Sequence, residues 1–282
     1  MPIACKRALG LLGVWCLSLT ASAEEFPRAV TLAPHLTELV YASGAEDTLV
    51  GVVEYSDFPP AARTLPRIGD AFRFDYERFL TLGATVALAW SDGTSTAAAD
   101  AIERLGIEVI WIETRRIEDI PEAMRAIGRR LGREDRAARR ASAFEETLAS
   151  LRRRYATLSR GLPVFYQVSP RPLYTLGGRH LINDALAVCG MRNIFADLDD
   201  AAPVVSQEAV IAARPALILA ANSNPEALAL WTREPMPSLL DARLEQVDPD
   251  RLIRPSPRIL DGIRELCELR QVQDVKQLQP SE

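Results

Sequence analysis

The fold is decided by the stretch 133–159, which reads R-E-D-R-A-A-R-R-A-S-A-F-E-E-T-L-A-S-L-R-R-R-Y-A-T-L-S and contains neither glycine nor proline. Its apolar residues recur at intervals of three and four: Ala137, Ala141, Phe144, Leu148, Leu151 and Tyr155. That spacing predicts a single amphipathic helix. At 1.5 Å per residue the helix would be about 40 Å long, the size of a small domain. A helix of this length can hold two lobes at a fixed separation.

A coiled-coil oligomer is the alternative interpretation of the same stretch. The apolar stripe covers only about three heptads and includes small alanines, and both features weaken a coiled-coil seam. We therefore favour a connecting helix within a monomer.

On both sides of this stretch, short apolar runs alternate with helical patterns, which predicts parallel βα units. Strands are predicted at 29–33, 49–53, 85–90, 108–112, 163–168, 216–221 and 244–247. Helices are predicted at 36–43, 76–82, 97–105, 117–131, 180–188, 207–213, 225–232 and 257–269. The sequence thus predicts an α/β fold of two Rossmann-like lobes joined by one long rigid helix.

An ungapped internal repeat supports the two-lobe organisation. The segment Asp75–Trp90 lies over Ser206–Ala221 at a constant offset of 131 residues. Each copy begins with a helix N-cap residue, has a glutamate two positions later and continues through a helix into an apolar strand. Glu77 and Glu208 are therefore equivalent positions on the two lobes.

The N-terminus has the pattern of a secretory signal peptide. Lys6 and Arg7 precede an apolar run that is too short to span a bilayer, and Ala21 and Ala23 fit the cleavage rule of signal peptidase. A membrane anchor is the alternative, but we expect a protein that is soluble outside the cytoplasm after cleavage. The predicted divisions are a signal peptide at 1–23, an N-terminal lobe at 24–132, the connecting helix at 133–159, a C-terminal lobe at 160–271 and a tail at 272–282.

Composition and motifs argue against several functions. A formal net charge of -5 over 282 residues gives no general attraction to nucleic acid. His35 and His180 are the only histidines, which are too few for a three-histidine metal centre. The chain has no Walker lysine after a glycine-rich loop and no G-x-S-x-G nucleophile elbow. We therefore expect no nucleic-acid partner, no resident metal, no catalytic cofactor and no catalytic residues.

The cysteines indicate a disulfide. Cys5 and Cys16 belong to the predicted signal peptide, which leaves Cys189 and Cys267 in the mature chain. An even pair in an oxidising compartment favours a bridge. Each cysteine follows an apolar helical pattern, so the bridge would join two helices of the C-terminal half. Two buried free thiols are the alternative.

Aromatic and polar residues follow the predicted strands, where α/β sheets form their ligand clefts. They are Tyr55, Phe72, Trp90, Tyr174, and Asp250 and Arg254 within the stretch 250–254. Together they indicate a cleft for a large, partly apolar ligand. Any one of these aromatics, taken alone, is more often a core residue than a cleft residue.

Several segments resemble the periplasmic cobalamin-binding proteins of vitamin B12 ABC importers. The segments are R-A-V-T-L-A-P-H-L-T-E at 28–38, G-V-V-E-Y-S-D-F-P-P at 51–60, the Glu77 helix, Trp90, C-G at 189–190 with N-I-F at 193–195, and R-P-S-P-R at 254–258. The likeness covers nearly all of the mature chain. The family binds its corrinoid between two lobes, so the resemblance implies a ligand cleft between the lobes of this chain. The P-x-x-T-E pattern also occurs in related siderophore and haem binders, so a haem or ferric siderophore carrier is the alternative function. A periplasmic enzyme on the same scaffold is less favoured, because no converging nucleophile and base are found.

The resemblance implies roles for the candidate cleft residues. Tyr55, Trp90 and Tyr174 would face the corrin ring or its nucleotide loop. Asp250 and Arg254 would contact the polar edge of the ligand. The function implied is capture of cobalamin or a related corrinoid and its delivery to an ABC permease, without catalysis by this chain.

The resemblance also implies that Cys189 and Cys267 form a disulfide and that Glu77 and Glu208 pair with arginines of the membrane permease. This chain departs from its relatives at three tryptophan positions, where it has Ala71, Ala202 and Arg251. Phe72, next to Ala71, could compensate for one lost wall of the cleft.

His35 has two interpretations. It replaces a small residue in the first turn of a predicted helix, where the helix dipole should lower its pKa and favour the neutral imidazole. A neutral imidazole can coordinate the cobalt of a corrinoid or the iron of haem. We favour the other interpretation, a cleft-edge histidine that hydrogen-bonds to the backbone or to a ligand amide.

Overall fold

A computed structural model describes residues 27–70, 72–159, 161–221, 225–233 and 240–278. The predicted signal peptide at 1–23 and Ala71 lie outside the described residues. Within the described ranges, no helix is both long enough and apolar enough to cross a membrane.

The N-terminal lobe is built on a four-stranded parallel sheet with the strand order β2-β1-β3-β4. Its strands are β1 (Ala29–Thr31), β2 (Leu49–Val52), β3 (Val86–Trp90) and β4 (Glu108–Ile112). Its helices are α1 (Pro34–Ser43), α2 (Tyr76–Thr81), α3 (Thr96–Glu103) and α4 (Asp119–Arg130). Proline at the first helical position begins α1, and Gly44 ends it with a left-handed φ of 73°.

The connecting helix is α5 (Glu134–Arg154), which is shorter than the predicted 133–159. Its buried residues are the predicted apolar stripe: Ala137, Ala141, Phe144, Leu148 and Leu151. Two of its arginines attach it to the N-terminal lobe, because Arg136 and Arg140 each donate at 2.7 Å to carbonyl oxygens at the end of α1, on Gly44 and Tyr41 respectively. The helix therefore packs along the lobe and is not a free tether.

The C-terminal lobe repeats this architecture with the strand order β10-β9-β5-β8. Its strands are β5 (Leu162–Gln167), β6 (Ser169–Pro170), β7 (Leu173–Tyr174), β8 (Met191–Asn193), β9 (Leu217–Ala220) and β10 (Arg243–Gln246). Its helices are α6 (Ile182–Val188), α7 (Gln207–Ala213), α8 (Ala229–Thr232), a short helix Pro249–Leu252 and a C-terminal helix Ile259–Leu278. The last of these extends to Leu278, into the segment 272–282 that was predicted as a tail, and residues 279–282 lie outside the described residues. Strands β6 and β7 form an antiparallel pair outside the main sheet.

The internal repeat of the sequence is also a structural repeat. The Asp75 side chain accepts a hydrogen bond from the Arg78 amide, and the Ser206 side chain accepts one from the Ala209 amide, 131 residues further along. Each cap starts a helix that leads into an inner strand of its lobe, β3 or β9. The two copies therefore share N-cap chemistry as well as order.

One apolar core runs through both lobes. It joins α1 and α4 to the buried face of α5, and continues to β5, α6 and the C-terminal helix. The disulfide between Cys189 and Cys267 lies in this core, with both residues fully buried and their Cα atoms 4.7 Å apart. It links the end of α6 to the C-terminal helix, which confirms the prediction made from the cysteine pair.

Candidate ligand-binding cleft

The candidate residues lie at the carboxyl ends of the parallel strands. In the N-terminal lobe, His35 follows β1, Tyr55 follows β2 and Trp90 ends β3. In the C-terminal lobe, Asp250 and Arg254 follow β10. Because the side chain of Arg254 contacts residues of the N-terminal lobe, these ends of the two sheets face one another. This is where open α/β sheets bind their ligands.

Tyr55 is held with its ring in solvent. Its side chain is mostly free, at 77% exposure, and its φ of 64° is in the left-handed region that few residues other than glycine adopt. A buried chain of hydroxyls anchors the loop, with Thr31 and Thr37 2.7 Å apart and Thr37 donating to Ser56 at 3.1 Å. Arg67 also donates to the Ser56 carbonyl at 3.1 Å. A strained, exposed aromatic on an anchored loop is typical of a functional site.

His35 and Trp90 form a pair below the edge of the cleft. Their rings are 4.9 Å apart and nearly perpendicular. His35 is only 5% exposed, and its Nε2 and the indole Nε1 of Trp90 have no hydrogen-bond partner among the described residues. Trp90 is half-buried, and Gly93 lies so close that a Cβ there would be 2.1 Å from Cε3 of the indole. The pair therefore has little freedom to move.

The pKa of His35 is lowered to about 3. The main cause is desolvation by burial, and the positive charge of Arg254 adds to it. The predicted direction agrees, but the cause is burial beside a cation, where the sequence suggested a helix terminus. The imidazole is neutral, and it lies beneath the cleft surface instead of at its edge.

Arg254 is the centre of an ion cluster between the lobes. Its Nη1 is 3.1 Å from a carboxylate oxygen of Glu38 and 3.1 Å from one of Asp57, both in the N-terminal lobe. Its Nη2 is 3.0 Å from Asp250. Desolvation is the largest single effect on Asp57 and favours its protonated form, but the hydrogen bond and the positive charge of Arg254, together with a backbone hydrogen bond and the charge of Arg258, outweigh it and hold the Asp57 pKa below its usual value. Arg254 and Asp250 were both predicted from the sequence as ligand contacts, and the structure brings them together.

Glu38 is the buried partner in this cluster. Its side chain is 2% exposed, and it accepts hydrogen bonds from Arg254, from Ser256 at 2.5 Å and from Arg258 at 3.3 Å. The guanidinium of Arg258 also lies over the Phe58 ring, 4.3 Å from its centroid. Burial raises the pKa of Glu38, although Ser256 and the two arginines favour its ionised form.

Glu38, Asp57 and Arg258 were not predicted as site residues from the sequence. The sequence signal for them was present only as segments of the family resemblance, P-x-x-T-E for Glu38, Y-S-D-F-P-P for Asp57 and R-P-S-P-R for Arg258. Glu38 and Arg254 are 216 residues apart, and a single sequence gives no way to pair charges at that distance.

Phe72 and Tyr174 stand apart from these contacts. Phe72 is 92% exposed, and Tyr174 is partly exposed on β7, where it forms a bridge with Val204. Within the described part of the chain, ring contacts join Trp90 to His35 but join none of Tyr55, Phe72 and Tyr174. The structure therefore leaves these aromatic surfaces open to solvent.

Two of the three positions at which relatives carry tryptophan, Ala202 and Arg251, lie among the described residues. Ala202 is exposed. Arg251 pairs with Asp248 at 3.1 Å and lies 3.9 Å from Glu265, so its guanidinium is engaged by its own lobe.

Glu77 and Glu208 are exposed at the second position of α2 and α7. The pKa of Glu208 is lowered by its own backbone amide and by the Ser206 hydroxyl. The helix surfaces around the two glutamates differ. Leu80 of α2 is 55% exposed, whereas α7 presents small residues such as Ala212.

A two-lobed α/β chain with one rigid connecting helix and a cleft between the lobes defines a class of extracytoplasmic binding proteins. This chain belongs to the periplasmic binding protein family, whose pattern matches residues 30–242. A curated relative, the vitamin B12-binding protein of Vibrio cholerae serotype O1, is 32% identical over 250 residues, which are 87% of this chain and 90% of the relative.

Solved structures give the same result. The periplasmic vitamin B12 binding protein BtuF of Vibrio cholerae is 30% identical with a TM-score of 0.80, covering 88% of this chain and 98% of that one. The periplasmic heme-binding protein RhuT from Roseiflexus sp. RS-1 has a TM-score of 0.78 at 22% identity, covering 88% and 99%, and shows the fold alone. The predicted family resemblance and fold class are confirmed.

Proposed function

We propose that this protein captures cobalamin or a related corrinoid in the periplasm and delivers it to the permease of an ABC importer. One observation carries the proposal: an anchored, solvent-facing Tyr55 and a half-buried Trp90 stand beside the ion cluster of Arg254 at the meeting edge of the two lobes. A corrinoid has a broad apolar ring with a polar rim, and this cleft offers aromatic faces next to charged groups. The relatives named as vitamin B12-binding support the same ligand.

The residues take distinct roles in this proposal. Tyr55, Trp90, Phe72 and Tyr174 supply apolar and stacking contact, and Arg254 with Asp250 binds the polar rim. His35 supports Trp90 from below through the ring contact at 4.9 Å. Because its Nε2 is enclosed, we assign His35 no bond to the ligand metal.

Calorimetric and absorbance titrations of the mature protein test the ligand assignment. We expect saturable binding of cyanocobalamin at one equivalent and weak or no binding of haemin and of a ferric siderophore. Tight binding of haemin without cyanocobalamin binding would contradict the proposal and favour the haem carrier. Catalysis is not expected, since the family and the relatives are named as binding proteins.

The same titration with the variant Tyr55→Ala tests whether Tyr55 contacts the ligand. We expect cyanocobalamin binding to weaken roughly 5- to 150-fold, the loss that follows removal of an aromatic contact residue. Trp111→Ala is the matched control, because Trp111 is 42% exposed on the edge strand β4 and, among the described residues, forms no ring contact with the cleft aromatics. Equal affinities of the two variants would remove Tyr55 from the site.

Delivery is assigned to the two repeat-related glutamates. Glu77 and Glu208 present one exposed negative charge on each lobe, and the lobes are held apart by α5. Two fixed charges suit a permease with a basic residue on each of two related halves. Each glutamate also complements its own helix dipole, which is the alternative explanation.

The double variant Glu77→Lys/Glu208→Lys distinguishes the two explanations. We expect it to abolish permease binding and uptake while cyanocobalamin affinity stays unchanged, whereas loss of dipole complementarity alone would only lower thermal stability slightly. Glu103→Lys/Glu146→Lys is the matched control, because both residues are exposed and away from these helix starts. Uptake that survives in the first variant would refute the docking role.

We expect the protein to act as a monomer. The apolar residues of α5 that could form a coiled-coil seam are buried within the chain, and Phe144, Leu148 and Leu151 are each at most 5% exposed. Light scattering of the purified protein measures its mass, and a dimer would contradict this expectation.

A further inference from the structure

Glu38 connects the two lobes from a buried position. It belongs to α1 of the N-terminal lobe, and its side chain is 2% exposed. Its partners Arg254, Ser256 and Arg258 all belong to the C-terminal lobe. Glu38 is therefore enclosed by hydrogen bonds from the opposite lobe and has no surface left for a ligand.

The position of Arg254 depends on which carboxylates hold it. Asp57 and Asp250 have side chains that are 46% and 34% exposed, so solvent weakens their hold on the guanidinium. Glu38 binds the same guanidinium from a buried position, where charge-assisted hydrogen bonds are stronger. Of the three carboxylates, Glu38 is the fixed one.

A fixed arginine is a better ligand contact than a mobile one. A free arginine loses rotamer freedom when it binds, and this loss reduces affinity. An arginine that is already oriented in the free protein loses less per hydrogen bond formed. The side chain of Arg254 is 17% exposed, so part of it still faces solvent while Glu38 holds the rest.

We propose that Glu38 is a positioning residue, which orients Arg254 toward the ligand and so sets ligand affinity without touching the ligand. The inference rests on the proposed function, in which Arg254 binds the polar rim of the corrinoid. It assigns to the buried glutamate a role in recognition as well as in joining the lobes.

A double-mutant cycle tests this role with cyanocobalamin as the probe. The variants are Glu38→Gln, Arg254→Ala and the double variant, with affinities measured by calorimetry. Glutamine keeps the shape of Glu38 and removes its charge. We expect Glu38→Gln to weaken binding by about 10-fold in the native background and by less than about 2-fold in the Arg254→Ala background, because residues that act through one another are not additive.

A purely structural role predicts a different result. If Glu38 only held the lobes together, it would still do so through Ser256 and Arg258 when Arg254 is absent. Glu38→Gln would then still weaken binding several-fold in the Arg254→Ala background, and that outcome would overturn the proposal. An unchanged affinity of Glu38→Gln, while Arg254→Ala weakens binding, would overturn it as well. If Arg254→Ala has no effect but cyanocobalamin binds, the inference fails and the proposed function stands. If the native protein does not bind cyanocobalamin, both fail.

Two further variants separate recognition from folding. Ser256→Ala removes one hydrogen bond to Glu38 and keeps both charges, so it serves if Glu38→Gln does not fold. We expect Ser256→Ala to weaken cyanocobalamin binding by about 2- to 3-fold in the native background and to have no effect in the Arg254→Ala background. An effect of the same size in both backgrounds, or no effect in either, would overturn the proposal. Glu145→Gln is the matched control, because it breaks a pair with Arg125 at 2.7 Å between α4 and α5, outside the cleft, and should leave affinity unchanged.

Discussion

His35 should make the stability of this protein depend on pH. Its pKa is about 3 in the folded protein, against an ordinary value of 6.5 that applies to the unfolded chain. Below pH 6.5 the unfolded chain therefore binds a proton that the folded protein does not bind. Stability is thus complete above that pH and is lost progressively as the pH falls toward about 3, where the folded form begins to take up the proton.

The size of the effect follows from the same values. At about pH 5 the medium is roughly 1.5 units below the unfolded pKa, and each unit corresponds to about 1.4 kcal/mol. His35 alone should then lower the free energy of unfolding by about 2 kcal/mol between pH 8 and pH 5. The pKa shift converts into a free energy of unfolding without a correction for solvent screening, because His35 is almost fully buried.

The assay compares the native protein with His35→Phe, which keeps a ring against Trp90 and removes the titrating group. Urea unfolding of both proteins at about pH 8 and about pH 5 gives four free energies of unfolding. His180, whose pKa is also lowered, to about 4, by burial, is present in both proteins, so its contribution cancels. We expect the native protein to lose about 2 kcal/mol more than the variant over this interval.

Equal losses in the two proteins would refute the reasoning. They would mean that the His35 imidazole is accessible to solvent or exchanges its proton freely in the folded state, and its proposed place beneath Trp90 would then be wrong. A smaller absolute stability of His35→Phe at both pH values would leave the reasoning intact, because only the difference between the pH values measures the titration.

Three further predictions concern the bridge and the aromatic wall. Replacing Cys189 and Cys267 by alanine should lower the free energy of unfolding by at most about 4 to 5 kcal/mol, because the bridge spans 78 residues of the unfolded chain; denaturant titration measures this, and an unchanged midpoint would contradict it. Gly93→Ala should weaken cyanocobalamin binding in calorimetry, because the new Cβ would lie 2.1 Å from the Trp90 ring and would displace it. Unchanged affinity would mean that Trp90 does not contact the ligand. Tyr55→Gly should raise the free energy of unfolding by about 1 kcal/mol, because glycine adopts the left-handed φ without strain. The same variant should bind cyanocobalamin more weakly, and unchanged affinity would exclude Tyr55 from the site.

Where local chemistry decides an element, the sequence predicted it to the residue. Helix α7 begins after the N-cap Ser206 and covers the predicted 207–213, and strand β4 covers the predicted 108–112. Strand β8 (Met191–Asn193) was missed, because it is three residues long and lies at the edge of its sheet, where no continuous apolar run is needed.

Tertiary contacts account for the errors at the ends of helices. The pattern of α5 continues to Ser159, but the helix ends at Arg154 and the chain turns there. Both the carbonyl and the hydroxyl oxygen of Ser159 accept hydrogen bonds from Arg270, 111 residues later. Contacts of this kind override helix propensity and cannot be found by inspecting the local sequence.

The same limit applies to the cleft. Positions after strands were enough to predict Tyr55, Trp90 and Arg254 as candidates, because the carboxyl edge of a parallel sheet is a general property of the fold. The partners of Arg254 depend on how the two lobes face each other, which no periodicity encodes. Glu38 was therefore visible in the sequence only as part of a family motif.

The local geometry of the cleft gives an argument for function that does not depend on relatives. Tyr55 adopts an unfavourable backbone conformation, and the neighbouring strand ends bury two ring nitrogens, of His35 and Trp90, without described partners. Features of each kind cost on the order of 1 to 3 kcal/mol. They persist only where the surroundings fix them, and here the hydroxyl chain to Ser56 and the close approach of Gly93 do so. Folding alone does not require such features at this edge, and the proposed function accounts for them: a corrinoid would contact the rings of Tyr55 and Trp90, with His35 supporting Trp90 from below.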